Sequence, residues 1–361
     1  MPRASFGIGP VRVRPGYARE VELPITRLVT GAEITLPVRV VHGRDDGPTV
    51  WVTATIHGDE VVGIEVIRRV LARLNPKTFR GTLVAAPIVN VLGFTAGDRY
   101  LPDRRDLNRS FPGSARGSLA SRIAHLVMTE VVGRGEVGID LHTGSFGRTN
   151  HPQVRADLDD PRTLALAEAF GAPVMINARL RDGSLRAAAR ERGAAVLLYE
   201  AGEAWRFDEW AIDAGTAGVR RVLASLGMAE PVDPAPAPSL VSRSSGWVRA
   251  RRTGILQLDV VLGQRVEVGH RLGSLTDSFG KTLRLVHADR SGIVIGRTTT
   301  PLVNRGDALI HIAGVEPVGS PRGVETSVDP SVDPSSDPSV DPLFDPLVDA
   351  LPHHDLDPDL S

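Results

Sequence analysis

The 361-residue chain has no cysteine, which excludes disulfides, thiolate nucleophiles, iron–sulfur ligation and cysteine-based zinc fingers in one step. Any metal must therefore be held by His, Asp or Glu. Lysine is nearly absent too: Lys77 and Lys281 are the only two, so the basic residues are almost all arginine. Aromatics make up 4% of the chain and no dense basic block is interleaved with them, so nothing points to nucleic acid. Long apolar runs are missing as well. The longest, such as 83–89 and 194–199, fall far short of the roughly 20 residues needed to span a bilayer. Arg3 is followed by Gly7, Gly9 and Pro10 in place of an apolar run of about 7 to 15 residues, so no secretory signal is expected. The expectation is a soluble, cytoplasmic protein without a membrane partner, with assembly into a homo-oligomer left open.

What is present is an ordinary globular composition, 42% hydrophobic and 24% charged, over a length that suits two or three domains. Residues 1–229 alternate β-branched runs with helical spacing, which favours an α/β unit with a mostly parallel or mixed sheet and flanking helices. Strands are expected at 50–56, 83–89, 137–141, 173–177 and 195–199. Helices are expected at about 62–74, 119–131, 164–170, 184–192 and 209–226. Pro231, Pro234, Pro236 and Pro238 make 230–239 a linker, because proline cannot sit repeatedly in a helix interior. Residues 240–316 change to short runs punctuated by glycine, such as 260–263, 266–269 and 292–296, the pattern of a small all-β domain. In 317–361, Asp329, Asp333, Asp337, Asp341 and Asp345 each precede a proline, so this acidic tail is expected to be disordered. From Val324 onward there are 10 acidic residues and no lysine or arginine, while the rest of the chain holds 42 basic against 33 acidic residues.

Three clusters carry chemistry. His57 and Glu60 lie three apart where a strand gives way to a helix, so both can point at one ion. His142 ends the apolar run Ile139-Asp140-Leu141-His142, and ligands in open α/β sheets gather at such carboxyl ends. Two histidines and a glutamate leave a fourth position for water, the catalytic form of a zinc site. Asp140, two residues before His142 on the same strand face, can orient that imidazole. In the second cluster Asn108 and Arg109 stand side by side after Asp106, with Arg99 upstream. An amide beside a guanidinium fork suits a carboxylate. The third is Glu200, at the end of an apolar strand and rivalled by Glu203, placed to act as a general base. Arg155, in a segment 149–155 read as a loop reaching over the pocket, is a further candidate for an anionic group.

At these residues the chain resembles the succinylglutamate desuccinylase/aspartoacylase family, related to the zinc carboxypeptidases. The resemblance rests on His57-x-x-Glu60, Asp106-Leu107-Asn108-Arg109-x-Phe111-Pro112-Gly113, Asp140-Leu141-His142-Thr143-Gly144 and Glu200-Ala201-Gly202, in that order along the chain. It implies a zinc-carboxypeptidase-like catalytic domain and one Zn2+ per chain on His57, Glu60 and His142. It further implies Glu200 as the base that activates water, and Asn108 and Arg109 as holders of the substrate carboxylate. The resemblance also implies an arginine that polarises the scissile carbonyl, assigned to Arg99 with Arg104 and Arg105 as alternatives.

The reaction so implied is removal of an acyl group from a small N-acyl amino acid. A carboxypeptidase-like peptidase and a noncatalytic binding protein with a vestigial metal site are the competing readings. Residues 240–313 resemble the barrel-sandwich domain of such deacylases and of lipoyl or biotinyl carriers, through the spacing of Gly263, Val266, Gly269 and Leu272. Lys281, the one lysine there, lacks the flanking methionines of a carrier. The module is expected to pack near the site mouth, with His270, His287 and His311 structural.

Overall fold

The computed structural model describes residues 3–315. The acidic-tail expectation therefore lies outside the described residues. A small hairpin, β1 (Phe6–Ile8) and β2 (Val11–Val13), precedes the main sheet. Next come β3 (Tyr17–Arg27), β4 (Glu33–His42), β5 (Asp45–Ala54), α1 (Val62–Leu71), β6 (Arg80–Ala86), α2 (Val91–Ala96) and α3 (Leu119–Glu130). They are followed by β7 (Val137–Gly144), β8 (Arg148–Ala156), α4 (Pro161–Phe170), β9 (Val174–Asn177), α5 (Leu185–Glu191), β10 (Ala195–Glu203) and α6 (Glu209–Ser225). The last part is all strand: β11 (Leu240–Arg249), β12 (Gly254–Leu258), β13 (Arg265–Val266), β14 (Arg271–Thr276), β15 (Thr282–His287), β16 (Gly292–Thr298), β17 (Leu302–Val303) and β18 (Ala308–Val315).

At the centre, β6, β5, β7 and β10 run parallel, and β8 lies antiparallel to β10. The helices begin where short polar side chains can take up free backbone N–H groups. Asn90, Ser118, Asp160 and Ser184 cap α2, α3, α4 and α5 in this way. One face of the sheet packs its apolar residues against Val66, Ile67 and Val70 of α1 and Val219, Val222 and Leu223 of α6. The other face packs against Ile123, Ala124 and Val127 of α3 and Leu185 of α5. The architecture is mixed α/β.

Three features differ from the sequence expectation. Residues 17–42 form a long antiparallel pair, β3 and β4, at the sheet edge, where no strand was expected. Buried Val21 and Leu23 on β3 and Leu36, Val38 and Val40 on β4 alternate with exposed or half-buried residues, the pattern of strands with one face toward solvent. Residues 149–155 are not a loop over the pocket but the body of strand β8. Residues 260–263 form a turn, closed by Gln264 N donating to Val261 O, and β13 holds only Arg265 and Val266.

The C-terminal strands do not stand apart from the sheet. Strand β11 pairs in parallel with β9, β18 pairs with β11, and β16 pairs with both β18 and β8. Strands β8, β9, β11, β18 and β16 thus close a ring, and Val174, Ile176, Ile293, Ile295 and Ala313 form one core cluster among these strands. A separate four-stranded sheet of β15, β14, β12 and β17 packs with a second apolar cluster that includes Leu272, Leu275, Val294, Leu309 and Ile310.

Candidate metal centre

Strands β5 and β7 are parallel neighbours, with Ala54 opposite Leu141, so the loop after β5 and the end of β7 meet at one edge. The loop after β5 begins at buried Thr55, whose φ of 56° is a left-handed conformation that β-branched residues rarely adopt. Its hydroxyl donates to the Glu60 carbonyl at 3.1 Å, and Glu60 N donates to the His57 carbonyl, which folds the loop back on itself before α1. His57 and Glu60 are thereby turned toward His142.

All three side chains are buried. Nδ1 of His57 stands 2.7 Å from Oε1 of Glu60, and Nδ1 of His142 stands 2.7 Å from Oε2. One donor atom from each residue lies within 4.8 Å of the others, a grouping able to hold a metal ion. The opposite nitrogens are also held. Nε2 of His142 is 2.8 Å from Oδ2 of Asp140, whose Oδ1 accepts from Thr53 Oγ1 at 2.7 Å. Nε2 of His57 is 3.4 Å from Oδ1 of Asp106. A carboxylate behind each imidazole fixes the ring and its tautomer, as in metal-ligating histidines. Buried Oδ1 of Asp59 and Oδ2 of Asp106, beside this cluster, have no hydrogen-bond partner within the protein. The donor set and its supports fit a catalytic divalent cation.

Charge is tightly coupled here. Burial would raise the Glu60 carboxyl, yet the His57 and His142 imidazoles hold it well below the usual carboxylate range. Burial would lower His142, but Asp140 and Glu60 hold it well above the ordinary imidazole value. His57 is also raised: Glu60 and Asp106 outweigh burial and Arg99. Burial, with Glu60 second, pushes Asp59 up to about 6.

The second cluster comes together around the same point. Arg99 donates to Oε1 of Glu60 at 2.7 Å and reaches within 3.1 Å of Nε2 of His57. Arg104 and Arg105 are exposed, and Arg105 faces Asp103. Of the three arginines only Arg99 is at the centre. Asp106 accepts from the Asn108 backbone N–H at 2.7 Å, shaping the turn that carries Asn108 and Arg109. Asn108 is buried, and its Oδ1 accepts from Leu185 N at 2.9 Å, tying this turn to the start of α5. Arg109 is exposed on the same turn.

Glu200 is the cross-strand partner of His142 on β7 and of Gln153 on β8, so all three side chains share one face of the sheet. Its Oε1 lies 3.7 Å from Nε of Arg155, and its Oε2 accepts from Asn150 Nδ2 at 2.6 Å. Glu203, the rival acid, is buried and accepts from Gly147 N and Thr299 Oγ1. Those bonds give it a structural part.

Two residues here escaped the sequence reading. Asn150 lies in the stretch taken for a loop, and its contact to Glu200 needs the strand pairing. Arg186, on α5, is buried: Nη2 donates to the Arg179 carbonyl at 2.6 Å, while buried Nη1 has no partner. Burial, then neighbouring Arg155, lowers it to about 10. Only its Ser-Leu-Arg position at a helix start was visible, and that is no signal of a pocket.

Comparison with known proteins agrees with this geometry. Residues 46–226 match the model of the succinylglutamate desuccinylase/aspartoacylase catalytic domain. An N-alpha-acetyl-L-2,4-diaminobutyric acid deacetylase of Halomonas elongata is 31% identical over 296 residues, covering 78% of this chain and 86% of the relative. The chain belongs to the succinylglutamate desuccinylase/aspartoacylase family. A succinylglutamate desuccinylase/aspartoacylase structure from Rhodobacter sphaeroides superposes with a TM-score of 0.72 at 29% identity, covering 83% of this chain and 96% of that one. The product-bound ectoine utilization protein EutE (DoeB) of Ruegeria pomeroyi shares the fold, with a TM-score of 0.74 at 23% identity over 82% of this chain and 95% of that one. A succinylglutamate desuccinylase of Pseudomonas aeruginosa is 31% identical over 134 residues, 34% of this chain and 39% of that protein. The named relatives in this family are a deacetylase and a desuccinylase. No helix among the described residues is long and apolar enough to cross a membrane.

Proposed function

We propose that the chain is a zinc-dependent amidohydrolase that removes the acyl group from a small N-acyl amino acid. The observation that carries this reading is the convergence of His57, Glu60 and His142, with Glu200 beside His142 on the neighbouring strand. The names of the relatives, a deacetylase and desuccinylases of amino acids, support the substrate class.

His57, Glu60 and His142 would hold the zinc, with Asp106 and Asp140 fixing the two imidazoles. When bound, the metal supplies a Lewis acid that brings the pKa of water from about 15.7 toward about 7. Glu200 takes the proton from the attacking water as the C–O bond forms, then returns it to the amide nitrogen as the C–N bond breaks. The products are a carboxylic acid and a free amine. Arg99, already at Glu60, donates to the carbonyl oxygen as negative charge grows there, a contribution of about 3 to 4 kcal/mol for one well-placed donor. Asn108 and Arg109 bind the amino-acid carboxylate from the turn above α5. Arg155, 3.7 Å from Glu200, and buried Arg186, whose charge is coupled to both, favour an anionic group there.

The test is direct. The purified protein should contain about one zinc per chain, and chelation should end hydrolysis of at least one member of a panel of acetylated and succinylated amino acids. Undiminished turnover by the metal-free protein overturns the reading.

A further inference from the structure

We propose that Asn150 is a positioning residue for Glu200 and that the C-terminal strand β16 sets it in place. This rests on Glu200 being the base, and deepens that reading by assigning the C-terminal strands a part in catalysis.

The strand register makes the arrangement visible. Between β10 and β8, Glu200 pairs with Gln153 and Gly202 pairs with Asn150. Two steps on β10 therefore match three on β8, a bulge with one extra residue on β8. Side chains alternate faces along a strand, so without the bulge Asn150 would point away from the face that carries Gln153 and Glu200. The extra residue re-aims it onto that face, a common use of bulges beside active sites.

Space for the side chain comes from glycine on β16, whereas the Cβ that Gly202 lacks would face Asp208, Ala211 and Val62 instead. The cross-strand partner of Asn150 on β10 is Gly202, and its partner on β16 is Gly296. A Cβ at Gly296 would stand 2.8 Å from Oδ1 of Asn150, closer than packed atoms approach. The orientation of the amide follows from chemistry. A carboxylate accepts only, so Nδ2 faces Glu200 Oε2 at 2.6 Å and Oδ1 faces the gap over Gly296. The end of β16 and Thr299 after it clamp the same segment. Thr298 Oγ1 and Thr299 N donate to the Gly147 carbonyl at 3.1 and 2.8 Å, and Thr299 Oγ1 reaches Glu203 at 2.9 Å. Asn150 is itself buried, so its hold on Glu200 is little diluted by solvent.

The experiment compares Asn150→Ala, Gly296→Ala and the double variant in the zinc-loaded, full-length protein. Asn150→Ala should lower kcat about tenfold to a hundredfold, the range for a lost hydrogen bond to a charged group, with KM and zinc content close to wild type. Gly296→Ala should fall in the same direction by a smaller factor, because the new methyl displaces the amide. In the Asn150→Ala background it should have no further effect, since nothing is left to displace. Wild-type kcat in Asn150→Ala, or losses that simply multiply in the double variant, overturns the proposal. Asn150→Asp keeps the shape and should lose more than Asn150→Ala, through like charge beside Glu200; retained turnover there overturns it too. If the wild-type protein hydrolyses no acylated amino acid, the functional reading has failed. A crystal structure of Asn150→Ala then still decides the positioning, which is refuted if the Glu200 carboxylate has not moved.

Discussion

The catalytic half and the C-terminal strands are built from different materials. In the first, chemistry sits on short local motifs delivered by the ends of parallel strands: His57 and Glu60 after β5, His142 at the end of β7, Glu200 on β10. In the second no ligand cluster is found among the described residues, and its weight is carried by apolar packing and by pairing with β8 and β9. In the proposed reading, one region supplies the reactive atoms while the other holds the strand that carries Asn150, the partner of Glu200. A domain that looks detachable in sequence is stitched into the same sheet.

The largest expected effect breaks the first region alone. Glu60→Gln, which removes the carboxylate bridging both imidazoles, should abolish zinc binding and lower kcat/KM by at least about a thousandfold, read by metal analysis beside turnover. Glu200→Gln should keep the metal and lower kcat by about a hundredfold to ten-thousandfold, the range for a lost general base. Loss of zinc in that variant would show that the two roles are not separable.

The third change breaks the second region. Leu309 is fully buried in the C-terminal cluster, and Leu309→Ala should cost about 2 to 5 kcal/mol in urea unfolding, with zinc still bound by the surviving folded protein. Arg186→Gln sharpens the boundary between function and stability. It should raise KM for a substrate carrying an anionic group about tenfold, yet leave the urea midpoint unchanged or higher, since it removes a buried cation with an unpartnered N–H.

The smallest effect lies on the outer face of α1. Glu65, held by Arg68 and Arg69, has its carboxyl lowered to about 2. A depressed carboxyl stabilises the fold above its unfolded value near about 4.3 and loses that contribution as pH falls through about 2. Glu65→Gln should therefore cost less than about 1 kcal/mol at pH 7, and the gap to wild type should close under acid, as for other surface ion pairs.

Much of the centre could be read before any coordinates. His57, Glu60, His142, Asp140 and Glu200 announce themselves because each follows or ends an apolar run, and such runs become strands whose ends meet. Arg99 was named with two rivals, and only the folded loop separated it from exposed Arg104 and Arg105. The edge pair β3 and β4 went unread although Val21, Leu23, Leu36, Val38 and Val40 alternate with more exposed residues; what the sequence could not show is that the two pair with each other and that β4 joins β6. Strand β8 was mistaken for a loop: Thr149-Asn150-His151-Pro152 reads as turn chemistry, and its partners β10, β9 and β16 lie about 20 to 150 residues further along the chain.

What the amino-acid order determined alone is the inventory: no thiol ligand, a histidine–glutamate–histidine set, and prolines that bar a helix from 230–239. These are local properties, set by residue type and by spacing within a turn or a strand. Tertiary structure separated the two acids: Glu203 accepts from Gly147 and Thr299, while Glu200 lies opposite His142 and faces Asn150. It also decided that Asn150, beside Gly296 on β16, would lean toward that acid. Both outcomes depend on register between strands distant in sequence, and one residue of slip would turn every one of those side chains to the other face.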